Sequence, residues 1–354
     1  MLKKTISILL ALLILASCSS TKTEEESVHG CDVLKVYNAG EYVDEEILTR
    51  FEDEYDVSIK YSIFLSNEEM YTQLLGGTVY DVMIPSDYMI EKLQADGLIQ
   101  KIDKSKITNI KDLYDGMLTD YDPDFEYSVP YFWGNVGIIY DSTKIDQSDV
   151  ESQGWEVLRN PKYKGLIYMY DSERDSFMVA LKALGYSMNT TDEKELEDAY
   201  NWLIELDNRV DPSYVTDEII DGLAYASEGK YMGVVYSGDA AYISSENENM
   251  KYWAPKEGTN YWTDAMVIHK KSECAELAHE FMNFMIDHDN AYDNSLYVGY
   301  SSPNKDALKE LEEGEYADNE AYSVREITSK DEVFHNNDNV RKIISDYWTH
   351  VKLN

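Results

Sequence analysis

The chain has 354 residues, of which 44% are hydrophobic, and a formal net charge of −37 at pH 7. This length accommodates two lobes with separate cores, because single cores tend to split beyond about 250–300 residues, and the hydrophobic fraction excludes a disordered chain. So acidic a surface repels nucleic acid and suits cationic partners, although acidity that serves only solubility would give the same charge.

The N-terminal segment predicts export. A basic start and the apolar run from Ile6 to Leu15 are typical of a secretory signal, and the run is too short for an ordinary transmembrane helix. Ala16-Ser17-Cys18 then resembles the bacterial lipobox, in which the cysteine is acylated and becomes the first mature residue. We therefore predict a lipoprotein signal peptide over residues 1–17, lipid attachment at Cys18 and a flexible tether over 18–31. A plain signal peptide with an incidental cysteine is the alternative.

Strands and helices are predicted to alternate in the first part of the mature chain. Val33–Tyr37, Val57–Tyr61 and Asp81–Pro85 have strand patterns, and helices are predicted over Asp44–Tyr55 and from an N-cap at Asn67. This βαβαβ order indicates a mostly parallel sheet with helices on both faces. Ligands bind beyond the carboxyl ends of such strands, so the loops at 38–42 and 86–88 are predicted binding loops.

A second unit is predicted after Gly137–Tyr140. A capping box of Thr190 and Glu193 would begin one of its helices. Its further strands are predicted at Gly165–Tyr170, Met232–Tyr236 and Met266–Ile268, and its further helices from Ser272 and over Val340–Val351. The two cysteines beyond the signal, Cys31 and Cys274, could form a disulfide in an exported protein or remain two buried thiols, and the sequence leaves both alternatives open.

In most of the loops at strand ends, an aromatic residue lies close to a carboxylate. These loops are Asn38–Tyr42, Pro85–Tyr88, Asp171–Asp175, Tyr236–Asp239, Tyr261–Asp264 and Gly299–Tyr300. An organic polycation needs both groups, because carboxylates pair with its ammonium groups while ring faces attract the cation and pack its methylene stem. With 30 Tyr and 68 acidic residues, chance neighbours are common, so a single pair carries little weight.

Eight collinear blocks resemble the spermidine/putrescine-binding proteins of ABC transporters. In family order they are YNAGEYV, YDVMIPSDYMIEKL, GLIQKIDKSKITNI, YSVPYFWGNVGIIY, PKYKGLIYMYDSERDSF, LGYSMNTTDEKELEDAYNWL, WAPKEGTNYWTDAMVI and VGYSSPN. The resemblance implies an α/β periplasmic-binding fold of type II, with two mostly parallel-sheet lobes joined by a hinge and a ligand cleft between them. We expect residues 32–138 and 264–306 in the first lobe, and 139–263 and 307–354 in the second.

The resemblance also implies which residues contact the ligand. Residue by residue, the carried-over positions are Glu41, Tyr42, Ser86, Asp87, Tyr88, Asp171, Asp175, Tyr236, Asp239, Trp262, Asp264, Tyr300 and His335. Departures from the family pattern make the signature mixed. Ala39 and Tyr236 stand where tryptophan is common, and Ser172 stands where spermidine binders often have an acid. Asp239 matches putrescine-preferring members, so the choice between the two amines stays open.

The function implied is that of the substrate-binding subunit of a polyamine importer. We expect it to be a monomer without metal or cofactor that catalyses nothing, is anchored outside the membrane through Cys18, and delivers spermidine or putrescine to permease subunits served by a cytoplasmic ATPase. A binder of Fe(III) would need converging His and Tyr ligands, and a sulfate binder would favour less negative charge. A carbohydrate-active enzyme is the alternative from another class, but H-E-x-x-H, G-x-S-x-G, G-x-G-x-x-G and Walker A motifs are absent from the sequence.

Overall fold

The computed structural model of the protein describes residues 30–323 and 325–354, so the predicted signal peptide, Cys18 and nearly all of the predicted tether lie outside the described residues. The strands are β1 (Val33–Ala39), β2 (Ser58–Phe64), β3 (Val82–Met83), β4 (Ser128–Asp141), β5 (Ile167–Tyr170), β6 (Ser213–Val215), β7 (Met232–Tyr236), β8 (Met250–Trp253) and β9 (Tyr261–Ile268).

The α-helices alternate with these strands. They are α1 (Glu45–Tyr55), α2 (Asn67–Leu75), α3 (Asp87–Ala95), α4 (Gln147–Gln153), α5 (Glu173–Ala183), α6 (Glu193–Val210), α7 (Glu218–Ala224), α8 (Ser237–Glu246), α9 (Ala275–Met285), α10 (His288–Val298), α11 (Lys305–Glu313) and α12 (Asp338–Lys352). Within the described ranges, no helix combines the length and apolar character needed to cross a membrane.

Two lobes share the long strand β4. The strand order is β2-β1-β3-β9-β4-β7-β5-β6, with β8 also paired to β4. The first half of β4 pairs with β9, and its second half pairs with β7 and β8. Strands β1, β2 and β3 are parallel in the first lobe, as are β5, β6 and β7 in the second. Because β4 and β9 carry the chain between the lobes in opposite directions, their pairing is antiparallel, so each lobe adds antiparallel strands to a parallel group.

The two segments that pass between the lobes, one in β4 and one just before β9, lie side by side and are hydrogen-bonded to each other. Partners of β4 change between Asn135 and Val136, and the Val136 amide donates to the carbonyl of Asn260 at 3.1 Å. The Thr259 hydroxyl donates to the Val136 carbonyl at 2.7 Å. These positions lie within a few residues of the predicted lobe boundaries, while α11 packs on α10 of the first lobe, beyond the predicted boundary at 306.

Each lobe has its own apolar core. In the first lobe, Phe51 of α1 is fully buried and meets Phe281 of α9 edge-on, with ring centroids 5.2 Å apart. In the second lobe, Trp155 and Trp202 are buried among α5, α6 and the 3₁₀ segment Gly154–Arg159. The helices that line the two cores are amphipathic, because their apolar residues are spaced so that one side of each helix is buried.

Three predicted helix starts were wrong in detail, the simplest being α9, which begins at Ala275 and not at Ser272. The N-cap of α2 is Ser66, whose hydroxyl accepts from the Glu69 amide at 3.1 Å, and Asn67 is the first helical residue. The N-cap of α6 is Asp192, whose carboxylate accepts from the Lys194 amide at 2.7 Å. Predicted capping residue Thr190 lies outside this helix, because an acceptor closer to the first turn occupies the cap.

The open question about the cysteines is answered by the structure. Cys31, before β1, and Cys274, the N-cap residue of α9, form a disulfide with their Cα atoms 5.7 Å apart. The bond joins residues 243 positions apart and therefore ties the beginning of the first lobe to the segment that returns to it.

Candidate ligand-binding cleft

The first lobe contributes a hydrogen-bonded pair of tyrosine and aspartate. Tyr42 follows β1, and its hydroxyl donates to Asp264 Oδ2 on β9 at 2.8 Å. Side chains of Asn38 and Tyr131 donate to the Tyr42 carbonyl at 3.2 and 2.6 Å, which holds the residue in place. Burial raises the pKa of Asp264 to about 6, although hydrogen bonds from Tyr42 and Ser86 oppose the shift.

The second lobe contributes an equivalent pair. Asp175 lies in the first turn of α5 and is only 4% exposed. The Tyr236 hydroxyl donates to its Oδ2 at 2.8 Å, while its Oδ1 is buried with no hydrogen-bond partner among the described residues. Burial raises the pKa of Asp175 above its ordinary value. A buried carboxylate oxygen without a donor is costly, so this atom can readily accept from a ligand.

A third pair connects the lobes. Tyr300, in the loop after α10, donates to Asp239 Oδ1 on α8 at 3.0 Å. This approach needs glycine at position 238, because a Cβ there would lie 2.2 Å from Tyr300 Cδ1. Burial raises the pKa of Asp239 to about 7, although its side chain keeps some exposed surface, as expected for a group facing a cleft.

Aromatic rings lie between these three pairs. Trp262, at the start of β9, meets Tyr300 edge-on at 5.0 Å between centroids and Tyr236 at 6.1 Å. Tyr42 in turn lies 5.6 Å from Tyr300. The rings form a continuous wall from the first lobe to the second. Ring faces attract a cation, and the rings can also pack against the methylene stem of an organic amine.

The loop before α3 provides further carboxyl and ring groups. Asp87 is 1% exposed and accepts from the Tyr88 amide at 2.7 Å, while its Oδ2 has no partner among the described residues. Burial raises the pKa of Asp87 well above its ordinary value. Ser86 pairs through its backbone with Asp264, so this loop adjoins the first tyrosine–aspartate pair. The ring of Tyr88 is covered by the Arg174 guanidinium, 3.9 Å from its centroid.

Three predicted ligand residues lie outside the cluster formed by the three tyrosine–aspartate pairs, the rings between them and the loop before α3. Asp171 forms an ion pair with Lys352 at 2.6 Å. His335 lies between Glu91, at 2.6 Å, and Asp120, at 3.4 Å. Glu41 is exposed, with a positive φ of 51° in the turn before Tyr42. Their roles as ligand contacts stay predictions.

Sequence reasoning missed three residues that shape the cleft, and it placed a fourth, Asn38, in a predicted binding loop without assigning it a role. Asn38 and Tyr131 hold Tyr42, Phe132 lies 5.2 Å from the Tyr42 ring, and Tyr170 lies 5.2 Å from the Tyr236 ring. Tyr170 could have been found, because it ends a predicted strand just before an acidic loop. The pair in β4 could not, because nothing in the YFW run distinguishes a cleft ring from a core ring.

The electrostatics of the cleft depend on four aspartates. Among the described residues, none of the ion pairs involves Asp87, Asp175, Asp239 or Asp264. Their partners are hydroxyl and backbone donors, which carry no charge to balance an ionised carboxylate. A bound cation would therefore balance the negative charge of these buried carboxylates as well as form new contacts.

Comparison with known proteins gives the family. The model of the bacterial extracellular solute-binding protein family matches residues 46–323. This chain belongs to that family. A spermidine/putrescine-binding periplasmic protein of Salmonella typhimurium is 34% identical to this solute-binding protein over 333 residues, covering 91% of this chain and 92% of the relative. The protein of the same description from Escherichia coli K12 is 36% identical over 292 residues, covering 79% and 80%.

Solved structures agree with the fold. The spermidine/putrescine ABC transporter substrate-binding protein of Streptococcus pneumoniae matches this solute-binding protein with a TM-score of 0.80 and 36% identity, covering 91% of this chain and 99% of that one. The predicted periplasmic-binding fold and the predicted resemblance are confirmed. The chain is thus related to solute-binding transport proteins.

Proposed function

We propose that this protein captures a polyamine, spermidine or putrescine, outside the cell membrane and delivers it to the permease of an ABC importer. Relatives more than 30% identical over most of their length are described as binding these amines. The Fe(III) alternative has less support, because these relatives are not described as iron binders.

One observation supports a cationic ligand most strongly. Carboxylates from both lobes converge on an aromatic wall, and each of Asp175, Asp239 and Asp264 is bonded to a tyrosine hydroxyl instead of a cation. Charge-assisted hydrogen bonds contribute about 1.5–3 kcal/mol each, and desolvated cation–π contacts add about 0.5–2 kcal/mol each. Several of each meet the ~8 kcal/mol of a micromolar site after the costs of association.

Each lobe contributes carboxylates to the proposed binding site. Asp264 belongs to the first lobe and Asp175 and Asp239 to the second, so an amine with two separated ammonium groups can satisfy acids on both sides. A ligand that bridges the lobes binds the closed conformation better than the open one and shifts the population toward it. A permease that recognises the closed surface then receives loaded protein.

Two positions bear on the choice of amine. The Ser172 hydroxyl accepts from the Asp175 amide at 3.3 Å and caps α5, so this position acts as a helix cap. Asp239 supplies a carboxylate to the cross-lobe pair with Tyr300. Because Ser172 supplies no second acid and Asp239 matches an acid of putrescine-preferring members, putrescine is the first candidate to test.

The family and the predicted N-terminal signal support a placement outside the cell membrane. We propose acylation of Cys18, with residues 18–31 connecting the lipid to the first lobe. Growth in radiolabelled palmitate tests this directly, since the wild-type protein should incorporate label and Cys18→Ala should not. Equal incorporation by both proteins would contradict the proposed anchor.

Calorimetry tests the proposed ligand class. Purified protein is titrated with putrescine, cadaverine, spermidine, glutamate and Fe(III) at pH 8. We expect saturable heat with at least one of the amines and none with glutamate or Fe(III). Absence of binding to all three amines would contradict the proposal, and binding of glutamate or Fe(III) instead would point to another ligand class.

A further inference from the structure

Charged residues on the rim of the cleft join the two lobes outside the three tyrosine–aspartate pairs and the aromatic wall. Glu68 of α2, in the first lobe, contacts two arginines of the second lobe. Arg174 of α5 lies 3.4 Å from Glu68 Oε1, and Arg341 of α12 lies 3.5 Å from the same atom. Two of the six arginines in this acidic chain therefore meet one glutamate of the opposite lobe.

Arg174 makes a second contact across the lobes. Its guanidinium lies over the ring of Tyr88, 3.9 Å from the centroid, and the Tyr88 hydroxyl lies 3.5 Å from Glu68 Oε1. Tyr88 is 9% exposed and the Arg174 side chain 18%, so this contact is largely withdrawn from water. A planar guanidinium can stack on a ring while its N–H groups reach a carboxylate, which a lysine ammonium does less well.

Further contacts cross the same rim. Lys92 of α3 pairs with Asp338 at the start of α12, at 3.3 Å. Glu91 accepts from the Asn336 amide at 2.9 Å and contacts His335 at 2.6 Å. Helices α2 and α3 of the first lobe thus face α5 and α12 of the second through complementary charges, which is the arrangement expected of a surface that closes reversibly.

We propose that Glu68, Tyr88, Arg174 and Arg341 form an interlobe clamp, in which Arg174 is a positioning residue that couples amine binding to lobe closure. Arg174 immediately precedes Asp175, and both lie in the first turn of α5. A ligand ammonium held by Asp175 fixes this turn from inside the cleft, while Glu68 and Tyr88 hold it from the opposite lobe. Because the two sets of contacts form in the same closed conformation, each strengthens the other. This inference rests on the proposed function.

A double-mutant cycle tests the coupling. Putrescine affinity is measured for wild type, Arg174→Gln, Glu68→Gln and the double variant, with Arg209→Gln as the matched control because Arg209 pairs with Glu205 inside α6. We expect each clamp substitution to weaken binding about five- to twentyfold. The double variant should bind at most about threefold more weakly than the weaker-binding single variant, and the control should equal wild type. Unchanged affinity in both single variants, or losses that multiply in the double variant, would overturn the proposal.

Interlobe distance provides a readout that local damage to Asp175 would not reproduce. Spin labels are placed at exposed positions, Thr49→Cys on α1 and Glu197→Cys on α6, and the distance distribution is measured without ligand and with putrescine. We expect Glu68→Gln, which leaves α5 unaltered, to reduce the closed population in both conditions, and 0.5 M salt to do the same in wild type. A closed population equal to that of wild type would overturn the clamp.

The same experiments separate the two proposals. If wild-type protein binds no amine, the polyamine function fails, while the ligand-free distance distributions of wild type and Glu68→Gln still test the clamp. If amines bind and the variants match wild type in both affinity and distance, the clamp fails and the polyamine function stands.

Discussion

Two kinds of buried aspartate differ in what neutralises them. Asp331 has a fully buried side chain and accepts from both terminal nitrogens of Arg325, each at 2.8 Å. Although burial opposes it, Arg325 holds the pKa of Asp331 below its ordinary value. Asp239 and Asp264 have no such cation, and burial raises their pKa values to about 7 and about 6. An acid that the protein itself has paired serves the fold, whereas an acid left without a cation in a cleft is available to a ligand.

Replacing the internally paired acid should have the largest effect on stability. Asp331→Ala leaves Arg325 without its carboxylate, and we expect the free energy of unfolding to fall by about 3–5 kcal/mol. Urea unfolding followed by circular dichroism measures this loss. Stability within about 1 kcal/mol of wild type would show that the contrast between the two kinds of acid is mistaken.

Replacing the cleft acids should affect binding and spare the fold. For Asp175→Asn and Asp264→Asn we expect putrescine affinity to fall about a hundredfold, equivalent to about 2.7 kcal/mol, because an ammonium loses its ionic partner. Ligand-free stability at pH 8 should equal or exceed that of wild type, since the neutral amide removes an unpaired buried charge.

Calorimetry and urea unfolding of the same samples check both halves of this prediction. Asp198→Asn is the matched control, because Asp198 pairs with Lys194 within α6 and is not among the predicted ligand residues. If it weakened binding as much as Asp175→Asn, the assignment of the cleft acids would need revision.

Acidification should weaken binding through the same groups. In the ligand-free protein the carboxyls of Asp239 and Asp264, with pKa values of about 7 and about 6, become protonated as the pH falls. We expect putrescine affinity to decrease at least tenfold between pH 8 and pH 5, as measured by calorimetry. The sign is fixed, since only the ionised carboxylate pairs with ammonium.

Stability of the ligand-free protein should respond in the opposite direction. A buried carboxyl with a raised pKa stabilises the fold below its unfolded pKa, and this contribution is lost as the pH rises through about 7. Asp331, with a lowered pKa, contributes above its unfolded value and loses its contribution only in stronger acid. Asp239→Asn should therefore gain stability relative to wild type on going from pH 5 to pH 8, and equal pH profiles would contradict this reasoning.

The smallest effect is expected from the hydroxyl that connects the lobes. Tyr300→Phe keeps the ring against Trp262 and removes the hydrogen bond to Asp239. We expect putrescine affinity to change less than tenfold, because the ring contacts persist and a ligand ammonium can take the place of the donor. Tyr300→Ala, which removes the ring as well, should weaken binding more than Tyr300→Phe. The reverse order would contradict this prediction and would assign the larger contribution to the hydroxyl.

Local patterns in the sequence were sufficient to predict much of this fold. A short, mostly apolar run predicted β1 and alternating apolar residues predicted β2, and the loops that follow predicted strands contain Tyr42, Asp175 and Asp239. The length of β4 was not predicted, because all 14 of its residues are buried and a continuous apolar run has no period that distinguishes strand from helix. That strand carries the chain from one lobe to the other, so its partner change could not be inferred from local pattern.

Pairing was the part of the site that the sequence could not supply. Asp171 and Asp175 lie in one acidic loop, yet the first pairs with Lys352, 181 positions away, and the second with Tyr236. Likewise, Arg174 and Arg341 reach Glu68 only because α2, α5 and α12 meet at the rim. Such contacts depend on how distant segments pack within and between the lobes, which residue spacing does not encode.

The central claim is that an organic diamine or triamine supplies the positive charge that the cleft acids lack. Putrescine and spermidine titrations at pH 6.5, repeated in buffers of different ionisation enthalpy, count the protons released on binding. The account predicts saturable binding with net proton release at pH 6.5 that becomes smaller at pH 8, where Asp239 and Asp264 are largely ionised before the ligand arrives. Binding without proton release at pH 6.5, or no binding of either amine, would contradict it.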